Sequence, residues 1–224
     1  MSNGLFITLE GGEGAGKSTA RDVIVEHFEQ RGYEVIQTRE PGGTPLAERI
    51  RELLLAPSTE PMAVTTELML MFAARAQHVE QVVKPSLAAG KIVVCDRFVD
   101  SSYAYQAGGR GIPVETIAAY EQLSLNGLKP DLTFLLDVPS EVGMARVVSS
   151  RAKLDRFELE QHAFFARVRA MFLTRAKEDP VRCRIIDATQ AMDVVHSEIR
   201  RLLGQITVPN ATQAGLRKPQ AGVL

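Results

Sequence analysis

The chain has 224 residues, 45% of them hydrophobic and 24% charged, with a formal net charge of -1. That length suits one domain with a single sizeable core, and the composition is that of an ordinary globular protein. The near-neutral balance leaves no electrostatic footprint for nucleic acid or an anionic membrane, and no apolar run approaches the roughly 20 residues that a membrane-spanning helix needs.

The N-terminal run MSNGLFITLE enters a strand at once, without a basic leader or cleavage site, so a cytoplasmic protein is expected. Strand signals cover Leu5–Glu10, Glu34–Thr38, Lys91–Asp96, Leu132–Asp137 and Cys183–Asp187. Helical spacing fills the gaps at 18–31, 45–55, 65–89 (bent before Pro85), 114–125, 140–149, 158–178 and 191–203. Gly32 and Gly90 stand where helix C-caps belong, and Thr44-Pro45 reads as an N-cap and first helical residue. Alternating strands and helices predict an α/β fold, a parallel sheet covered by helices on both faces. The runs IVVC and LTFLL are apolar throughout, as strands buried on both sides are. Cys95 and Cys183 lie in such runs and read as buried free thiols. Residues 149–157 are polar, basic and short of packing residues, and 205–224 lack periodicity and read as a frayed tail.

Gly11 to Ser18, GGEGAGKS, match G-x-x-x-x-G-K-[ST], the phosphate-binding P-loop pattern, between a strand and a helix N-terminus. The glycines permit turns that turn amide N–H groups inward on one anion, and the helix dipole adds positive potential. Lys17 would reach the terminal phosphates, and the Ser18 hydroxyl would ligate Mg²⁺. The third strand ends in Asp96-Arg97, beyond the carboxyl edge of the sheet where ligands bind. There a carboxylate can hold Mg²⁺ and an arginine can neutralise a phosphoryl group. Arg39-Glu40-Pro41-Gly42-Gly43 forms a tight turn at the same edge. Residues 96–111, DRFVDSSYAYQAGGRG, follow with hydroxyls, an aromatic pair and an amide suited to a nucleobase and a sugar. Phe72 and Arg75 stand three apart on one helix face, and an arginine there, on a face otherwise of Leu, Met and Ala, needs a partner. Read as otherwise unpaired, it could be removed without loss of stability. His27, His78, His162 and His196 have no ligand spacing and read as surface or core residues.

REPGG, DR-x-x-x-S-x-x-AYQ, GGRG and the P-loop together resemble the bacterial thymidylate kinase family, and KPDLTFLLDV, LDRFE and IIDAT extend the resemblance over about 1–204. It implies a five-stranded parallel P-loop NTPase fold with a mobile lid at about 146–157, a homodimer, and Mg²⁺-dependent transfer of the ATP γ-phosphoryl group to dTMP. It implies that Gly11, Gly12, Glu13, Gly14, Ala15, Gly16, Lys17, Ser18 and Thr19 cradle ATP, with Arg146 on the same nucleotide. Glu13 matches a position touching the sugar 3′-hydroxyl or the magnesium shell. Arg39 and Glu40 line the monophosphate side. Asp96 and Arg97 serve Mg²⁺ and the transferring group. Ser101 and Ser102 lie near the thymine edge, Tyr105 crowds the sugar 2′ position, Gln106 follows it in the same substrate-binding loop, and Arg75 hydrogen-bonds the base. The residue that stacks on thymine is Phe72 or Met71. Ala15 replaces an arginine found in some relatives, so the lid supplies the catalytic arginine, with Arg151 and Arg156 as candidates. Rival readings are another nucleoside monophosphate kinase or a nucleotide-switch ATPase; the sequence has no N-K-x-D base-recognition motif.

Overall fold

The computed structural model describes residues 4–150 and 155–208. Five strands form one parallel sheet: β1 (Leu5–Glu10), β2 (Val35–Arg39), β3 (Ile92–Asp96), β4 (Leu132–Asp137) and β5 (Cys183–Asp187), ordered β2-β3-β1-β4-β5. The three central strands are buried almost throughout, which is why their sequences are largely apolar, whereas edge strand β2 is half-buried to exposed and edge strand β5 mixes buried and open positions.

Helix α1 (Lys17–Glu29) covers one face with the C-terminal helix Met192–Leu203; Val23, Ile24 and Phe28 meet Leu5, Ile7, Leu9, Ile199 and Leu203. Ile206 and Val208, in the expected tail, also pack there, while residues 209–224 of that tail lie outside the described residues. The opposite face carries α2 (Pro45–Leu55), α3 (Val64–His78), α4 (Lys84–Ala88), α5 (Val99–Ser102) and α6 (Val114–Leu125). The Thr44 side chain accepts from Ala47 N at 3.1 Å, and Pro45 opens α2, as the sequence predicts. The expected bend before Pro85 takes the form of a π-helical turn, Val79–Val83, which accommodates the missing proline N–H without breaking the chain direction.

A second π-helical stretch, Tyr103–Gly109, was not expected from periodicity. It packs under α8 (His162–Glu178), where Tyr105 meets Phe157, Phe164 and Phe172 edge-on. Helix α8 begins later than the expected residue 158. Asp155 Oδ1 accepts from Phe157 N and Glu158 N at 2.9 and 3.0 Å, which holds residues 155–158 in a turn. Between β4 and the undescribed 151–154 lies α7 (Ser140–Ser150). Gly14 and Gly143 of α7 touch through their backbones: a Cβ on Gly14 would stand 2.1 Å from Gly143 O.

Candidate active site

The carboxyl ends of β1, β3 and β2 stand side by side, with Leu9 opposite Asp96 and Asp96 opposite Arg39. The connection after β1 runs to β2 on one side and the connection after β3 crosses to β4 on the other, so this edge is the topological switch point where α/β sheets bind ligands. A cleft of about 590 Å³ opens there. Its walls include Glu13 to Thr19, Arg39, Glu40, Asp96, Arg97, Ser101, Ser102, Tyr105, Gln106, Arg75 and Arg146, so the sequence-derived sets meet in one place. Gly11 and Gly12 lie beneath it as acceptors: Lys17 Nζ donates to Gly12 O at 2.9 Å and to Gly11 O at 3.2 Å. Burial, then the charge of Arg97, pulls the Lys17 pKa below the ordinary lysine range.

Arg97 bridges the loop and the opposite wall. Its Nη2 donates to Glu13 Oε1 at 2.8 Å and its Nη1 to Gly11 O at 3.0 Å. Tyr105 OH donates to the same Glu13 oxygen at 2.8 Å. Arg97 has φ 69°, a left-handed backbone rarely adopted by a long side chain, and its N donates to Leu9 O at 2.9 Å. Glu10, which ends β1 and leads into the phosphate loop, anchors this turn. Its Oε1 accepts from Phe98 N at 2.8 Å and its Oε2 from Ser101 Oγ at 2.6 Å. Burial, then the nearby Asp100 charge, pushes its pKa up to about 7. Asp96 Oδ1 is buried without a hydrogen-bond partner among the described residues.

The structure corrects the reading of Arg75 as unpaired. It is buried and donates from Nε to Glu40 Oε2 at 2.6 Å, from Nη1 to Ser102 Oγ at 2.8 Å and from Nη2 to Phe98 O at 2.9 Å. Glu40 is held from its other side by His78 Nδ1 at 2.8 Å, while His78 Nε2 meets Thr38 Oγ1 at 2.7 Å. The cleft wall carries Met71; Phe72 turns into the core, 5.4 Å from the Tyr120 ring, with the Arg75 guanidinium 4.8 Å over its own ring. A one-residue difference on a helix rotates a side chain by about 100°, which spacing to Arg75 alone did not resolve.

Arg156, one of the two lid candidates, is engaged elsewhere in this structure. Its Nε donates to Leu54 O at 2.8 Å and its Nη1 pairs with buried Glu67 at 2.8 Å, while its neighbours Asp155 and Phe157 line the cleft. Arg151, the other candidate, lies outside the described residues, as does Lys153. Arg146 Nη1 donates to Ala188 O at 3.1 Å, beside the loop. Arg51 lines the cleft and was missed. Its signal is the i,i+3 spacing to Glu48, whose Oε1 accepts from Gly43 N at 2.8 Å and so ties α2 to the REPGG turn. Burial, then neighbouring Arg39, lowers the Arg51 pKa. Arg39 itself is half exposed and donates to Glu48 Oε2 at 3.0 Å.

Five parallel strands with a glycine-rich phosphate loop at their carboxyl edge define a P-loop NTPase fold. The family model described as thymidylate kinase matches residues 9–199. The chain is 58% identical over 201 residues to a thymidylate kinase of Pseudomonas putida (strain GB-1), covering 90% of this chain and 95% of that one. It is 56% identical to one from Pseudomonas syringae pv. tomato, covering 91% and 96%. The crystal structure of thymidylate kinase from Ehrlichia chaffeensis superposes with a TM-score of 0.72 at 34% identity, covering 90% of this chain and 99% of that chain. This chain belongs to the thymidylate kinase family.

Proposed function

We infer that this chain transfers the γ-phosphoryl group of ATP to dTMP, giving dTDP and ADP, as its family membership indicates. The observation that carries the reading is the continuity of one cleft. The Gly11–Ser18 loop forms one end, the Arg75, Ser102 and Gln106 wall the other, and Arg97 stands between them. Phosphoryl transfer asks for two anions held in line and for positive charge around the moving group. Lys17 and Arg97 supply that charge on the donor side, with Arg39 and Arg51 on the acceptor side. Both reactants are anionic, and the attacking phosphate oxygen needs no base to deprotonate it.

The orphaned Oδ1 of Asp96 and the Ser18 hydroxyl fit a magnesium ion. When bound, that ion supplies neutralisation of the ATP phosphates. Arg146 flanks the ATP side, Tyr105 and Glu13 the sugar, and Met71 packs against the base. Within the proposed lid, about 146–157, Arg151 and Arg156 are the candidates for the catalytic arginine. A homodimer is supported by exposed apolar side chains on adjacent helices: Leu53 on α2, Met69 on α3 and Leu123 on α6, at 62%, 52% and 83% exposure. Sedimentation of wild type and Leu123→Glu tests this; equal masses of one chain for both would refute it. Two buried free thiols suit a reducing, cytoplasmic compartment.

The decisive assay offers dTMP, dUMP, UMP, AMP, GMP and CMP in turn with ATP and Mg²⁺. ADP should form fastest with dTMP and at background without an acceptor. Turnover without an acceptor, or preference for a purine monophosphate, would overturn the reading.

A further inference from the structure

Gln106 lies on the cleft wall beside Ser102 and Arg75. Its amide has a donor end and an acceptor end, and which one faces the cleft decides what the wall can bind. The Nε2 end donates to Glu67 Oε1 at 2.9 Å. Glu67 is 1% exposed and does not line the cleft. It cannot turn away. Arg110 grips both its oxygens, Nε at 3.2 Å from Oε1 and Nη2 at 3.1 Å from Oε2, and Arg156 Nη1 sits 2.8 Å from Oε2. A carboxylate clamped by two guanidinium groups presents acceptors only. Flipping the amide would set its carbonyl oxygen against that carboxylate and leave a buried acceptor unsatisfied. Gln106 Oε1 accepts no hydrogen bond among the described residues, so it is the free end.

We propose that Glu67 is a positioning residue that sets the polarity of the base-facing wall by holding the amide-nitrogen end of Gln106 through one of its two N–H groups, which leaves the carbonyl oxygen toward the ligand. This rests on the dTMP reading above. Arg75 beside it keeps two of its five N–H groups after bonding Glu40, Ser102 and Phe98. An acceptor next to a donor complements an imide edge, N–H beside C=O, as thymine and uracil carry. Cytosine offers the reverse pattern, a ring-nitrogen acceptor beside an amino donor. Glu67 therefore selects between pyrimidines without touching either, and a mismatch leaves buried polar groups unpaired.

The test measures kcat/KM for dTMP and for dCMP, with ATP and Mg²⁺, in wild type, Glu67→Gln, Gln106→Leu and the double variant. Glu67→Gln should lower the dTMP-to-dCMP ratio about tenfold, the equivalent of 1.4 kcal/mol, with the KM for ATP unchanged. In the Gln106→Leu background the same substitution should leave the ratio unchanged. Glu67→Asp keeps the charge for Arg110 and Arg156 but falls short of Gln106, so it should lower the ratio in a chain that still folds. An unmoved ratio in Glu67→Asp, or an equal fall in the Gln106→Leu background, would overturn the proposal. Wild-type turnover of dTMP tests the underlying function separately: if dTMP is a good substrate and the ratio does not move, only the role of Glu67 fails.

Discussion

Arg75 Nε lies 2.6 Å from Glu40 Oε2, and the two side chains are 3% and 2% exposed. Glu40 leads the turn after β2 and Arg75 sits in α3, so this pair fastens the acceptor wall to the sheet edge. Removing one member of a buried pair strands the other, at roughly 3–5 kcal/mol. Arg75→Ala should therefore lower the melting temperature by roughly 10 °C and raise the KM for dTMP. Thermal melts and both KM values check this. An unchanged melting temperature would show that Glu40 finds another partner.

Glu10 gives the folded chain a pH dependence. A carboxyl whose pKa is raised on folding holds a proton that the unfolded chain has already released. Between about pH 4.5 and 7, stability then falls as pH rises, by about 3 kcal/mol in total for this group. Glu10→Gln should remove that slope. Denaturant titrations across the window compare the two proteins; parallel stability curves would place the Glu10 pKa at an ordinary value.

Lys17→Ala should lower kcat by about 10²–10³, the range for losing one preorganised charged contact to a developing negative charge. Circular dichroism and gel filtration should report the wild-type fold, because among the described residues the side chain hydrogen-bonds carbonyls of its own loop. A near-normal kcat would remove the loop from the chemistry.

Tyr105 has two separable parts. Its ring packs among Phe157, Phe164 and Phe172, and its hydroxyl reaches Glu13. Tyr105→Phe should keep the preference for dTMP over its ribose counterpart if the ring crowds the sugar. Tyr105→Ala should narrow that preference and also cost roughly 3–5 kcal/mol of stability. The ratio of kcat/KM values for the two sugars decides; the same ratio in both variants would move sugar selectivity elsewhere.

The central strands and the phosphate loop were legible because each is a local pattern: continuous apolar runs buried on two faces, and glycines at fixed offsets before a helix. What stayed illegible was direction. Spacing could not tell Met71 from Phe72, because either falls within reach of the same helix face. A basic run does not say where each guanidinium points, and Arg156 is claimed by Glu67 from a helix distant in sequence. Glu67 stands in the first turn of α3, where an acid is common for its effect on the helix dipole alone. Glu10 was invisible because its partners, Phe98 N and Ser101, come from the far side of β3. The Tyr103–Gly109 helix follows no 3.6-residue period, since a π-helix has none to show.

Lys17 rests its ammonium on the carbonyls of Gly11 and Gly12. Nucleotide entry is therefore an exchange: the cation must surrender two carbonyl contacts to gain phosphate oxygens. The heat of ATP binding at this loop then reports a difference between two sets of bonds, and a tight complex can show a small enthalpy.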